Sequence, residues 1–292
     1  MYLQKNFQAA EIPSQAHISC YRYTSDKYGS YPLHCHPYYE ISYIIKGERY
    51  ELYNGMKYHL KENSLFFIPP LAIHGVENIT EVEDIVLQFS PDFLTMSSAS
   101  MPSDCMISVN GEVPFMFAES KHVISDIIEL SNLPNCYDFR NYSDDCRLPR
   151  SVSYEWKRNS LILSLLVHLF ESGDITITNK GIDCATLMQL EPLINRLLSC
   201  PEENLDMKEA ASMVGVSYYH FSRLFKLTTG LNFSEYSNLL RIRKAEGLLL
   251  HSNQSILSIA ASIGIDTPSY FTKLFKRING LSPSEYRRKY LK

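Results

Sequence analysis

Two periodicities divide the chain. Between residues 16 and 90 the apolar positions come in short runs rich in aromatic and branched side chains. Tyr39–Ile45, Arg49–Tyr53, Met56–Leu60, Ser64–Ile68 and Ile85–Phe89 read as strands. Asn54-Gly55 predicts a two-residue hairpin turn, and Lys46-Gly47-Glu48 a second turn. Many short strands with no helix between them predict a small β-barrel or sandwich. Residues 90–117 carry a weak pattern and read as irregular strands. From Ser120 the period lengthens. Val123, Ile124, Ile127 and Ile128 form a helical stripe that runs to Leu133. Asn135 to Arg150 is polar, bounded by Pro134 and Pro149, and reads as a loop. Ser153 to Ser172 reads as a second helix. It is apolar almost all round from Leu161 to Phe170, so it is buried on more than one side. Gly173 to Cys184 is a short polar linker. Leu187 to Leu198 then opens an all-helical region, with Pro192 near the start of that helix.

The last ninety residues are written twice. Ala211 and Gly215 recur as Ala260 and Gly264 at an offset of 49. Phe221, Leu224, Phe225, Lys226 and Gly230 recur as Phe271, Leu274, Phe275, Lys276 and Gly280 at an offset of 50. The added residue follows Gly264, in a turn, where an insertion disturbs packing least. Each copy, at about 206–230 and 255–280, reads as helix, tight turn, helix. Asp206 and Glu209 have capping-box spacing, as do Asn232 and Glu235 at the head of a joining helix from Phe233 to His251. Ser217 caps the second helix of the first unit, and Ser255 starts the first helix of the second. Thr267-Pro268 places a cap before a proline at the first helical position. The phenylalanines face inward. Tyr218, Tyr219, Ser222, Arg223 and Lys226, then Thr267, Ser269, Thr272, Lys273 and Lys276, are left outward. Hydroxyl and basic groups above an aromatic stripe suit a helix that reads the major groove of DNA. Arg223 and Lys273 hold equivalent positions for base contact, and Lys226 and Lys276 for phosphate. Arg241 and Arg243 lie on the joining helix. One can brace the units while the other meets the DNA backbone, and Arg241 is counted among the DNA contacts.

These residues resemble the C-terminal DNA-binding domain of the AraC/XylS family of bacterial transcription regulators. The shared features are Ala-x-x-Val/Ile-Gly and Phe-x-x-x-Phe-Lys in both units, Arg241-Ile-Arg-Lys-Ala245, and Gly-Leu-Ser-Pro-Ser-Glu-Tyr-Arg at 280–287. The resemblance implies double-stranded promoter DNA as partner. Both second helices would then sit in successive major-groove segments, about 34 Å apart. It also implies a homodimer through the helices after the barrel, contact with RNA polymerase, and activation rather than repression.

Charge agrees with that division. The net charge of −4 alone argues against a nucleic-acid binder. Residues 1–184 hold 14 Lys and Arg against 23 Asp and Glu; residues 185–292 hold 14 against 9. An acidic first domain precedes a basic second one. Seven cysteines without a Cys-x-x-Cys pair argue against a disulfide framework and a zinc cluster, and point to a reducing cytoplasm. The first residues lack the apolar core of a signal peptide, and no run is long enough to span a bilayer, so no membrane role is expected.

One constellation in the strand-rich part carries chemistry. His34-Cys-His36 is followed by Glu40 and Gly47; Asn63 is followed by Pro69, His74 and Asn78. This resembles the two signature segments of the cupin superfamily, with Asn63 and Leu71 standing where that pattern has glycine. Strand alternation puts His34 and His36 on one face and Cys35 on the other. His34, His36, Tyr38, Glu40, Tyr43 and His74 are therefore candidates for contact with a small-molecule effector, a sugar among the possible classes. The expected state needs no metal or other cofactor. The alternative is a metal held by His34, His36, Glu40 and His74, as in a metal-dependent cupin enzyme. The expected architecture is α+β. A cupin-like β-barrel with a helical pair spans 1–172 and senses the effector, 173–184 links, and 185–292 binds DNA. The expected function is a non-enzymatic, effector-responsive transcription regulator.

Overall fold

The computed structural model describes residues 18–27, 29–93, 105–110, 115–117, 120–133, 148–179 and 184–290. Its first domain holds β1 (Ile18–Ser25), β2 (Ser30–His34), β3 (Tyr39–Lys46), β4 (Arg49–Tyr53) and β5 (Met56–Leu60). It continues with β6 (Ser64–Ile68), β7 (His74–Asn78), β8 (Val82–Phe89), β9 (Cys105–Val109) and β10 (Phe115–Phe117). The predicted strands are all present. Their closure into a barrel is not. Among the described residues they form a five-stranded sheet, β1-β8-β3-β6-β10, and a four-stranded sheet, β2-β7-β4-β5. No ladder among the described residues joins the two, so these strands stack as a sandwich. The Lys46-Gly47-Glu48 turn carries the chain from one sheet to the other. Gly47 is required there: its φ is +94°, and a Cβ would lie 2.1 Å from the Glu81 carbonyl oxygen. Asn54 and Gly55 both take positive φ, which matches the tight hairpin between β4 and β5.

Alternation along the strands sends each face to a different neighbour. Tyr39, Ile41 and Tyr43 of β3, Leu65 and Phe67 of β6, and Ile85, Leu87 and Phe89 of β8 pack against two helices. These are α1 (Lys121–Asn132) and α2 (Leu148–Glu171). Val123, Ile127 and Leu130 of α1 and Ile162, Leu165, Leu166 and Leu169 of α2 complete that layer. The opposite face, with Ile44, Phe66, Ile68 and Val82, packs against Leu60, Tyr53 and Tyr58 of the four-stranded sheet. The predicted loop at 135–150 gives way to helix from residue 148; the rest of it lies outside the described residues. The supposed linker also changes character. Ile175–Asn179 forms β11, antiparallel to β9, and buries Ile175 in the first domain's core. Ile175 and Ile177 alternate with threonines, a strand signal that the polarity of the stretch concealed.

The second domain is all helical: α3 (Cys184–Ser199), α4 (Met207–Val214), α5 (Tyr218–Thr229), α6 (Phe233–His251), α7 (Ile256–Ser262), α8 (Pro268–Asn279) and α9 (Pro283–Tyr290). Pro192 sits inside α3 rather than at its start. Both predicted capping boxes form, at Asp206/Glu209 and Asn232/Glu235. Ser217 and Ser255 cap as expected. Thr267 occupies the N-cap position of α8, but its side chain makes no capping bond; Pro268 has no N–H to offer and fixes the first turn by itself. Gly215, Gly230 and Gly280 end α4, α5 and α8 in the left-handed conformation.

The two domains share a core. Leu71, Ile73 and Met106 of the first domain are buried in one cluster with Leu187, Leu190, Tyr236, Leu239 and others of α3–α6. The β4–β5 turn also docks: Asn54 donates from Nδ2 to the Thr229 carbonyl at 3.0 Å, and Arg243 donates from Nη2 to the Gly55 carbonyl at 3.4 Å.

Candidate functional site

The first site is built on α5 and α8. Phe221, Leu224 and Phe225 are buried, as are Phe271, Leu274 and Phe275, so the i, i+3, i+4 stripes seat both helices on the core. What this leaves outward is the predicted row. Tyr218, Tyr219, Arg223 and Lys226 are exposed on α5, Tyr219 to 85%, and Ser222 is half-buried. Thr267, Ser269, Thr272, Lys273 and Lys276 are exposed at and along α8. Thr272 donates its hydroxyl to the Pro268 carbonyl, which keeps that group on its own helix. Basic and hydroxyl groups on two helices seated by buried phenylalanines can reach phosphates and base edges.

Arg241, counted among the DNA contacts, is engaged as a brace within its own domain. Its Nε donates to the Pro201 carbonyl at 2.9 Å, and its Nη2 donates to the Glu203 carbonyl and to Asn204 Oδ1. The guanidinium ties α6 to the turn before α4. Arg243, the other candidate, is taken by Glu246 and Gly55. Arg241→Ala is expected to cost about 1–3 kcal/mol of stability, read from the urea midpoint, without changing base preference at any operator position. A shift in base preference would restore it to the DNA face.

The second site lies between the sheets of the first domain. His34 and His74 are cross-strand partners in β2 and β7, with ring centroids 4.1 Å apart; His36 and His74 are 4.9 Å apart. Glu40 on β3 points into the same space. His36 bonds Glu40 Oε2 through Nε2 at 3.0 Å, and Gln88 donates to that oxygen at 2.8 Å. Burial would raise the Glu40 carboxyl. The His36 hydrogen bond, His74 and Gln88 outweigh it and hold Glu40 below the usual carboxylate range. Burial, and next to it His34, push His74 well below the usual imidazole range against the pull of Glu40, so His74 is neutral.

Deeper in the same space, Arg49 pairs with Asp84, Ser42 and Glu51. All four are buried. Burial pushes the Glu51 carboxyl up to about 8 despite the Arg49 guanidinium beside it. None of these four residues was among the expected site residues. Their signal was polar residues two or four positions apart, on one face of otherwise apolar strands: Ser42 beside Glu40 on β3, Arg49 and Glu51 on β4, and Asp84 beside Gln88 on β8. Tyr38 stacks on His36 at 5.8 Å and stays at the site. Tyr43 does not. It stands an odd number of positions from Glu40, so it faces the helical layer, where its hydroxyl donates to Asn63 Oδ1 at 2.8 Å.

The two sites match two known protein families. Residues 15–125 match the AraC-like ligand binding domain, and residues 210–289 match a helix-turn-helix domain. The HTH-type transcriptional activator RhaS of Escherichia fergusonii is 28% identical over 263 residues, covering 89% of this chain and 88% of that protein. The chain belongs to the AraC/XylS family of transcription regulators. Another relative is an uncharacterized HTH-type transcriptional regulator, YfiF, of Bacillus subtilis. It is 27% identical over 269 residues, covering 88% of this chain and 79% of that protein. The regulatory protein PocR of Salmonella typhimurium is 40% identical over 85 residues, 29% of this chain and 28% of PocR.

In this AraC/XylS regulator the cupin-like signature survives with two substitutions that the backbone explains. Asn63 and Leu71 both have positive φ, 67° and 61°. The turns thus keep the left-handed geometry that glycine would give freely. Asparagine tolerates it. Leu71 is strained there, and its side chain is held at full burial in the core shared by the two domains. The donor set fits a metal ion: His34, His36 and His74 bring their ring nitrogens within 4.8 Å of one another, and His74 Nε2 is buried with no hydrogen-bond partner. An ion held there would supply a positive centre able to bind an oxygen-bearing effector.

Proposed function

We propose that this regulator activates transcription. It reads double-stranded promoter DNA with α5 and α8, under control of a small polar effector bound between the sheets beside His34, His36, Tyr38, Glu40 and His74. The observation that carries this reading is the pairing of two exposed recognition rows with a buried, partly unsatisfied polar site whose strands share a core with the DNA-binding helices. Several relatives are named activators, which favours activation and contact with RNA polymerase. Selection of bound sites from random DNA, with and without candidate small molecules, tests it. The expected result is one enriched motif with two half-sites, whose occupancy changes with an effector. Recovery of no motif sinks the reading.

The dimer contact we assign to α2. Trp156, Val167 and Phe170 are 72%, 51% and 52% exposed. Their spacings of 11 and 14 residues put them on one helical face. The joint variant Trp156→Glu with Phe170→Glu is expected to be a monomer by light scattering and to bind a two-half-site operator at least tenfold more weakly. A variant that remains dimeric removes α2 from the interface. No helix among the described residues is long and apolar enough to cross a membrane. Cys20, Cys35, Cys105 and Cys200 are free thiols, in keeping with a cytoplasmic protein. The metal-dependent enzyme reading has less support, since the relatives are named as regulators.

A further inference from the structure

Three helix starts of the second domain converge on one cleft of about 450 Å³. Met207, the first residue of α4, Phe233 and Ser234, the first two of α6, and Tyr270, in the first turn of α8, all line it. The cleft therefore lies between the two helix-turn-helix units. We propose that it binds a phosphate group, which ties elements of both units to one ligand. The proposal goes beyond the recognition rows. It rests on the regulator reading only for the source of the phosphate, which is the DNA backbone or a phosphorylated small molecule.

The joining helix gives the cleft a polar floor. Ser234, Ser237, Asn238 and Arg241 stand at i, i+3, i+4 and i+7 along α6, so they share one helical face. Ser237 is only 7% exposed, and its hydroxyl has no hydrogen-bond partner among the described residues. Buried hydroxyls are nearly always hydrogen-bonded, so this one is free to bind a ligand in the cleft. Asn238 donates from Nδ2 to the Tyr270 hydroxyl at 3.2 Å. That bond joins α6 to α8 and leaves the phenolic hydrogen to donate. Arg241 spends Nε and Nη2 on residues 201–204, while its Nη1 has no partner among the described residues.

The helix starts decide the charge of the ligand. The first N–H groups of a helix have no partner within it and carry partial positive charge. The two capping boxes take those of Lys208, Glu209 and Glu235. Those of Met207, Phe233 and Ser234 remain, and Thr267 makes no capping bond for α8. Asp206 is the one acid among the lining residues, and its Oδ1 is committed to the Lys208 and Glu209 amides. The open groups are donors: two serine hydroxyls, a phenol, a guanidinium nitrogen and backbone amides. An oxyanion that accepts on every side matches such a set. The volume falls in the range of roughly 300–1,000 Å³ usual for small-ligand sites. Tyr270 follows Ser269 and stands a turn before Lys273, so the cleft adjoins the recognition row of α8. With α5 and α8 in successive grooves, backbone phosphates pass between the units.

The test uses the full chain and an operator selected from random DNA. Ser234→Asp places an acid in the first turn of α6, where it suits the helix dipole, so the thermal midpoint should hold or rise. The same charge should repel a phosphate and weaken operator binding by at least about tenfold. Ser237→Ala removes only the buried hydroxyl and should weaken binding roughly fivefold. A neutral methylphosphonate is then moved step by step along the DNA between the two groove contacts. At one step wild type and Ser234→Asp should bind equally, which assigns the phosphate to the DNA. Separately, inorganic phosphate is titrated into the DNA-free chain and followed by the amide shifts of Met207 and Phe233. Shifts that saturate in wild type and vanish in Ser234→Asp, with no equalising step on DNA, keep the site and assign the phosphate to a small molecule. Neither an equalising step nor such shifts, or Ser237→Ala matching wild type in both assays, overturns the proposal. Failure to bind any DNA selectively sinks the regulator reading instead, while the phosphate titration still judges the cleft.

Discussion

Replacing Phe225 by alanine is expected to destabilise the protein by about 3–5 kcal/mol and to abolish DNA binding. The ring is fully buried. It meets Phe221 and Phe233 at 5.4 Å and Tyr236 at 5.1 Å, the last two edge-on. Aromatic pairs in such geometry contribute beyond the area they bury. The surrounding groups are ring and helix backbone held by two capping boxes, so the site collapses little and the cavity persists. The cluster also contains Leu71, Ile73 and Met106, so the loss loosens the seat of the first domain as well as α5. Phe275 occupies the equivalent place in the second unit, but its cluster contains no residue of the first domain. Phe275→Ala should therefore cost a similar amount while leaving the domain contact intact. Urea unfolding followed by circular dichroism, with limited proteolysis at the domain boundary, separates the two. A Phe225→Ala midpoint within 1 kcal/mol of wild type would contradict the packing described here.

Arg223→Ala is expected to leave stability unchanged and to lose discrimination at one operator position by about 1–3 kcal/mol. Arg223 is exposed on α5, one residue before buried Leu224, on a helix whose seat the phenylalanines fix. A guanidinium so placed can bond two acceptors on a guanine edge. Lys226, one turn on, offers a point charge. Lys226→Ala should weaken binding evenly over all sequences and reduce the salt dependence by about one counterion. Competition binding against single-base operator variants at two salt concentrations distinguishes them. If Arg223→Ala lowers affinity evenly, it belongs with the phosphate contacts.

Much of this was legible in residue order because local rules decide it. A pair of capping boxes, a serine cap, left-handed glycines at 215, 230 and 280 and a phenylalanine stripe each need only a few neighbouring residues, and all appear as read. The strands from Tyr39 to Ile68 fall where alternation placed them, within a residue at their ends. The internal repeat was decisive, because two copies of one unit cannot both arise from chance spacing.

Contacts between distant residues were not legible. Arg241 looked like a DNA contact because it is basic and lies on the joining helix. Only the approach of residues 201–204 shows its Nε and Nη2 donating within the domain. Tyr43 looked like a pocket residue because it is near Glu40, but the face it takes depends on which sheet surface the helices cover. Barrel closure likewise depends on strand pairing between distant segments, and among the described residues the pairing leaves the five-stranded and four-stranded sheets separate.

By itself, then, the sequence determined the two-domain plan, the recognition helices and the histidine constellation, since short-range periodicity and turn chemistry encode them. Tertiary structure alone decided that Arg49, Glu51 and Asp84 share the interior with Glu40. It also decided that Leu71 and Ile73 belong to the other domain's core. Burial of a strained leucine and pairing of buried charges are satisfied only by groups far away in the chain, and that distance hides them from any local reading.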